Sequence, residues 1–163
     1  MGILTDEMRR VVAEQRLGFV ATVCPDGTPN LSPKGTIRVW DDDHVMFANI
    51  CSPGTVANLR RNPAIEINVV DMALRKGYRF KGTATVVVDG PLYERMRETY
   101  LRGEHALEPE LYRRIDGVVL VRVERAVPLV SPAYDGGASE ADVSGPWLRY
   151  WETLWAERAR SGA

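Results

Sequence analysis

Between Ala64 and Val70 the chain alternates apolar with polar side chains, setting Ile65, Ile67 and Val69 against Glu66 and Asn68. A period of two belongs to an extended strand with one face in a core and the other in water. The same pattern recurs over Tyr78–Val88, where Tyr78, Phe80, Ala84 and Val86 oppose Arg79, Lys81, Thr83 and Thr85. Leu17–Val23, Pro29–Trp40 and His44–Asn49 read as three more strands, joined through Pro25-Asp26-Gly27-Thr28 and Asp41-Asp42-Asp43. Gly27 supplies the positive φ that closes a tight hairpin. The valine-rich Val118–Val127 completes a set of six. Hairpins impose antiparallel pairing. Six such strands in a chain of 163 residues favour a closed or nearly closed barrel over an open sheet with bare edges.

Helical signals fall between these strands. Thr5 is placed to cap a helix with Asp6 and Glu7 in its first turn and Met8, Val11 and Val12 on its apolar stripe. Ser52-Pro53 opens a second helix, which must stop before Asn62-Pro63. Pro91 opens a third, with Tyr93, Met96 and Tyr100 inward, and Pro109–Arg114 reads as a helical turn. Ser131–Gly145 is glycine-rich and acidic, and Trp147–Arg158 has the pattern of an amphipathic helix. The expected class is mainly β with inserted α-helices. A barrel domain over 1–130 is followed by a C-terminal extension over 131–163, whose helix packs on the barrel or on a partner.

Composition excludes several functions. The 21 basic and 22 acidic side chains leave a formal charge of −1, which gives no long-range attraction to nucleic acid or to an anionic membrane. The longest apolar runs fall far short of the roughly 20 residues of a membrane span, and the first ten residues lack the apolar core of a secretory signal. Cys24 and Cys51 are too few for a disulfide framework. The expectation is a soluble cytoplasmic protein. No His, Asp and Glu cluster has the spacing of metal ligands, so no metal site is expected. His44 and His105 are the only histidines, and both fall in expected turns or loops, poor places for a haem ligand.

Three local features point to a bound anion. Ser32-Pro33-Lys34-Gly35-Thr36 interrupts an expected strand, because proline cannot donate to a ladder and glycine weakens one. The break turns backbone groups toward a ligand and sets Lys34 beside two hydroxyls; a plain edge irregularity is the structural alternative. Ser52-Pro53-Gly54-Thr55 offers a helix N-terminus with unpaired N–H groups and two hydroxyls, although an ordinary cap would read the same. Arg75, Lys76, Arg79 and Lys81 form a basic run with no acid between them, which a solvated strand face also explains. Together they describe a site for a phosphate-bearing cofactor.

The ordered set of features resembles the pyridoxamine 5′-phosphate oxidase-like FMN-binding split barrels. The resemblance is carried by the Pro-Asp-Gly turn, the Asn-Leu-Ser-Pro-Lys-Gly-Thr strand, Phe47-Ala48-Asn49, the helix from Ser52 to Arg61-Asn62-Pro63, and Lys81-Gly82-Thr83-Ala84. It covers roughly Leu17 to Val127. It implies a six-stranded antiparallel split β-barrel of Greek-key type that binds flavin as a homodimer. It implies that Ser32, Pro33, Lys34, Gly35 and Thr36 lie along the isoalloxazine ring. Ala48, Asn49, Ser52 and Thr55 would then bind the ring edge and phosphate, with Asn58 one turn further on and Lys81 reaching in from the partner subunit. Two departures bear on the substrate. Pro53 and Gly54 stand where enzymes that oxidise pyridoxamine phosphate carry two basic residues, and the tail Trp147-Leu148-Arg149-Tyr150-Trp151 lacks their arginine–histidine motif. The resemblance therefore implies an FMN-dependent oxidoreductase acting with an unidentified small-molecule substrate or electron donor. A deazaflavin-dependent reductase of the same fold, and a flavin carrier or sensor without turnover, are the alternatives. A six-stranded barrel is filled by its own side chains, so the cofactor needs a second wall on the outside, which a two-fold partner supplies.

Overall fold

Strand alternation dictates the core of the computed structural model, which describes residues 2–102 and 106–162; His105 lies outside them. The strands are β1 (Gly18–Val23), β2 (Pro29–Lys34), β3 (Arg38–Val39), β4 (His44–Asn49), β5 (Ala64–Asp71), β6 (Lys76–Val87) and β7 (Gly117–Val130). They form one curled antiparallel sheet in the order β2-β1-β5-β6-β7-β4-β3. The helices are α1 (Asp6–Gln15), α2 (Pro53–Arg61), α3 (Gly90–Glu98), α4 (Pro109–Arg113) and α5 (Glu140–Ser161).

Ile67, Val69 and Phe80 point into the concave side with Val20, Val45, Phe47, Val119 and Val121, all essentially inaccessible. Val12 of α1 and Leu59 of α2 join this core. A second cluster lies outside the sheet, where Met46 and Ala48 meet Tyr93, Met96 and Tyr100. β4 is therefore buried on both faces, its odd residues serving one core and its even residues the other. Thr5 caps α1 as its sequence implies, its hydroxyl accepting from the Met8 N–H at 3.3 Å.

Three boundaries differ from the sequence reading. The strand expected over Pro29–Trp40 is two strands, because Gly35 and Thr36 form a turn. The sheet thus has seven strands rather than six, and the break falls within the Ser32–Thr36 run. β7 continues past Val127 to Val130, paired with β6 as far as Lys76. The helix expected over Trp147–Arg158 is longer: α5 begins at Glu140, fixed by a reciprocal capping box between Ser139 and Asp142, runs to Ser161, and carries Pro146 inside it. Between Lys81 and Gly82 the register of β6 against β7 shifts. A Cβ on Gly82 would strike the Arg122 carbonyl, so only glycine fits this close approach.

Among the described residues, no helix is long and apolar enough to cross a membrane.

Candidate functional site

β2 and β3 are the two ends of the sheet order, which is why Pro33 is tolerated in β2. At the end of β2, Lys34 is only 6% exposed. Its Nζ donates to Ser32 Oγ, and to the Pro33 carbonyl at 3.3 Å, and it lies 6.0 Å from the Phe47 ring centroid. Burial pushes its pKa below the ordinary lysine value, and the nearby Cys51 thiol opposes that shift. The turn that follows is tightly held. Thr36 Oγ1 accepts from the Ala48 N–H at 3.1 Å and contacts the Ala48 carbonyl at 3.4 Å. The Thr36 carbonyl accepts from the Tyr100 hydroxyl at 3.1 Å. Burial raises the Tyr100 pKa far above that of a free phenol, so this group is a fixed donor.

At the end of β4, Asn49 Nδ2 donates to Asp116 Oδ1, and the Asp116 N–H donates to the Asn49 carbonyl at 3.1 Å. The Asp116 oxygen accepts in this pair, which orients the amide with its nitrogen toward it. Asn49 Oδ1 is left buried without a hydrogen-bond partner, a costly state for an acceptor.

The chain then enters α2. Ser52 holds the N-cap position, yet its hydroxyl makes no capping bond; its carbonyl accepts from the Val56 N–H at 3.1 Å. A Cβ on Gly54 or on Gly35 would meet nothing within 4 Å, so the backbone is open at both places. This donor set suits a phosphate ester: a free helix N-terminus with an uncommitted hydroxyl, and a buried ammonium beside the exposed strand end. Thr55 and Asn58 face the other way. Thr22 Oγ1 accepts from Asn30 Nδ2 and Asn58 Nδ2, each at 3.1 Å, and Asn30 Nδ2 is 3.5 Å from Thr55 Oγ1. Thr22, Thr55 and Asn58 are all at least 95% buried, and their side chains tie α2 to β1 and β2.

Lys81 sits on β6, three positions from β2 in the sheet. It is exposed and borders a cavity of about 290 Å³ together with Thr22, Val23 and Ala64. The rest of the basic run has partners. Arg75 lies over the Trp147 ring at 5.1 Å, Lys76 Nζ donates to Glu140 at 2.8 Å, and Arg79 pairs with Glu66 at 3.0 Å. The first two contacts dock the start of α5 on the β5–β6 hairpin, although Val143 is the one buried residue of that helix; the third lies within the hairpin itself. Among the described residues no three His, Cys, Asp or Glu side chains group as metal ligands.

Sequence reasoning missed one feature. A cavity of about 490 Å³ opens beside Gly35 and Thr36, with Arg9 and Arg16 from the first helix region, Arg38 from β3, and Tyr100 and Arg102 beyond α3. No local run announces it, because its residues come from three distant segments.

Comparison with known proteins agrees with this architecture. The family described as pyridoxamine 5′-phosphate oxidase matches residues 4–125. The crystal structure of HupZ from Group A Streptococcus is 33% identical, covers 79% of this chain and 96% of that one, and superposes with a TM-score of 0.68. An FMN-binding protein from Syntrophomonas wolfei shares the fold at 14% identity, covering 78% of this chain and 87% of that one with a TM-score of 0.63. An F420 reductase shares it at 22% identity, covering 76% and 98% with a TM-score of 0.56.

Proposed function

The chain belongs to the pyridoxamine 5′-phosphate oxidase family, and from that premise we propose that it is an FMN-binding oxidoreductase. FMN, when bound, supplies the acceptor and donor of an electron pair exchanged with a small-molecule substrate or electron donor. The observation that carries the reading is Lys34, an ammonium withdrawn from water at the open end of β2. A cation held there stabilises negative charge on a neighbouring ring. The backbone from Ser32 to Thr36 lies along that ring in this reading. The Ser52 hydroxyl and the first turn of α2 receive the phosphate, and Ala48 and Asn49 border the ring edge. Thr55 and Asn58 hold α2 in place from behind, through Thr22 and Asn30.

The second wall is a two-fold partner. The outward side of β1 and β2 pairs Phe19 with Pro33, Ala21 with Leu31 and Val23 with Pro29, and Phe19 and Leu31 are 45% and 65% exposed. A partner that covers this apolar face brings its own Lys81 toward the cofactor. The F420 reductase of the same fold favours a second reading, a deazaflavin in place of FMN. In that case the Arg75–Lys81 run is poorly placed to hold an acidic tail, since three of its four cations already have partners.

The experiment is identification of the copurifying chromophore by absorbance and mass, followed by titration of stripped protein with FMN, riboflavin and a deazaflavin. FMN binding well above riboflavin is expected, and Lys34→Ala weakens it. Equal affinity for FMN and riboflavin removes the phosphate assignment, and unchanged binding in Lys34→Ala removes the ring assignment. A bound flavin that no reductant or acceptor can turn over identifies a carrier or sensor instead.

A further inference from the structure

The C-terminal helix is far more apolar on one side than its contacts require. Along α5, Val143, Trp147, Trp151 and Leu154 recur at helical spacing, and Leu148, Tyr150 and Trp155 widen the same arc. Of its 22 residues only Val143 is buried, and Leu148, Tyr150 and Trp155 are 50%, 52% and 59% exposed. The start of the helix is tied down by Glu140 to Lys76 and by Trp147 beneath Arg75. Further along, Tyr150 meets Trp151 and Arg158 lies over Trp155, contacts that stay within the helix. α5 also lies outside residues 4–125, the span of the family match.

A second copy of this chain is the cover that the molecule itself argues for. The outward side of β1 and β2 is another uncovered apolar surface, with Phe19, Val23 and Leu31 at 45%, 38% and 65% exposure. One two-fold exchange satisfies both surfaces at once, each helix lying on the other copy's sheet. At these exposures Phe19, Val23, Leu31, Leu148, Tyr150 and Trp155 offer on the order of 600 Å² per copy. A symmetric pair then buries about 1,200 Å², which reaches the size of a stable interface before backbone and rim are added. Charge speaks against a lipid surface. Glu140, Asp142, Glu152 and Glu157 stand against Arg149, Arg158 and Arg160 on α5, whereas a helix that lies on an anionic membrane has a basic polar face.

We propose that α5 is an arm exchanged between two copies of this chain, its stripe of Trp147, Trp151, Leu154 and Trp155 covering the outward face of β1 and β2 of the second copy. The seat on that sheet rests on the two-fold wall proposed above; what is added is the segment of the partner that forms it. The wall is then aromatic, since three of the four tryptophans of the chain lie on this helix.

The test follows the full chain by analytical ultracentrifugation and by tryptophan emission over a dilution series. Wild type is expected to be a dimer, and dilution through its dissociation constant shifts the emission to longer wavelength as the indoles become wet. Trp155→Glu and Leu31→Glu change exposed side chains on the two sides of the contact, and each raises the dissociation constant about tenfold or more. Ala156→Glu, about half a turn from Trp147 around the helix, leaves it unchanged. A dimer that Leu31→Glu dissociates and Trp155→Glu does not overturns the arm and leaves the two-fold wall standing. The reverse result places helix against helix and overturns the seat on the sheet. A dimer whose emission ignores dilution overturns the arm, because the stripe is then covered within its own copy. A wild-type monomer at about 100 μM overturns the arm and the wall together, and a monomer that binds phosphatidylglycerol vesicles through Trp155 makes lipid the cover instead. Dissociation by both variants in a protein that binds no flavin leaves the arm standing and removes the flavin reading.

Discussion

Two regions of this molecule each gather four cations, and they do so in opposite ways. Arg75, Lys76, Arg79 and Lys81 are close neighbours in sequence, on one hairpin and strand. Three of them are engaged, Arg75 and Lys76 by Trp147 and Glu140 of the C-terminal helix and Arg79 by Glu66 of the neighbouring strand, so the run serves to seat that helix and to tie the hairpin together. Arg9, Arg16, Arg38 and Arg102 are scattered along the chain, yet they line one cavity. Charge density along a sequence is therefore a poor guide to charge density in space. Neighbouring like charges on a strand fan outward and find separate partners, whereas a fold can bring distant ones to a single concave surface.

That contrast can be broken most forcefully at Tyr100, which is fully buried and forms the cavity wall. Tyr100→Ala is expected to cost about 3–5 kcal/mol in urea unfolding, as for other buried aromatics. Tyr100→Phe, which only orphans the Thr36 carbonyl, is expected to cost about 1–2 kcal/mol. If the two variants lose the same amount, the hydroxyl rather than the packing holds the wall.

Lys34 belongs to neither region and isolates the effect of burial. Its folded pKa lies below the ordinary 10.5, so the unfolded chain binds the proton more tightly. The cost of keeping Lys34 charged is fully present below the folded pKa and is relieved as pH rises through it toward 10.5. The stability of wild type relative to Lys34→Met should therefore climb through the alkaline window; parallel curves for the two proteins would show that burial does not perturb this amine.

The smallest effect is expected at Lys76. Lys76→Ala breaks an exposed ion pair with Glu140, and such pairs contribute little in water. The unfolding midpoint should stay within error, and a large drop would mean that the seating of α5 is part of the barrel's own stability.

Much of the fold was legible because its determinants are local. Ile65, Ile67 and Val69 announce a strand, Gly27 takes the left-handed turn its hairpin needs, with φ +85°, and Thr5 caps where capping chemistry places it. The interruption at Gly35 was legible from Pro33 and Gly35 themselves. The start of α5 was obscured: Ser139 and Asp142 do form a capping box, but glycines on both sides and Pro146 mask it. The candidate site was legible in its backbone and in Lys34, less so in its side chains. Nothing near Thr55 or Asn58 shows that they turn inward, since Thr22 and Asn30, the groups they meet, lie on β1 and β2, far from α2 in sequence. The arginine cavity was illegible for the same reason, being a product of tertiary approach alone.

β4 sits between two cores, Val45 and Phe47 on one side and Met46 and Ala48 on the other. A strand packed on both faces opens with difficulty by itself, so its amides are expected to be among the last to exchange with solvent. The same strand ends at Asn49 and grips the β2–β3 turn through Ala48 and Thr36. The proposed cofactor strand is therefore fastened to the part of the molecule that opens last. A ligand meeting that strand would therefore find a surface held in one shape by the packing behind it.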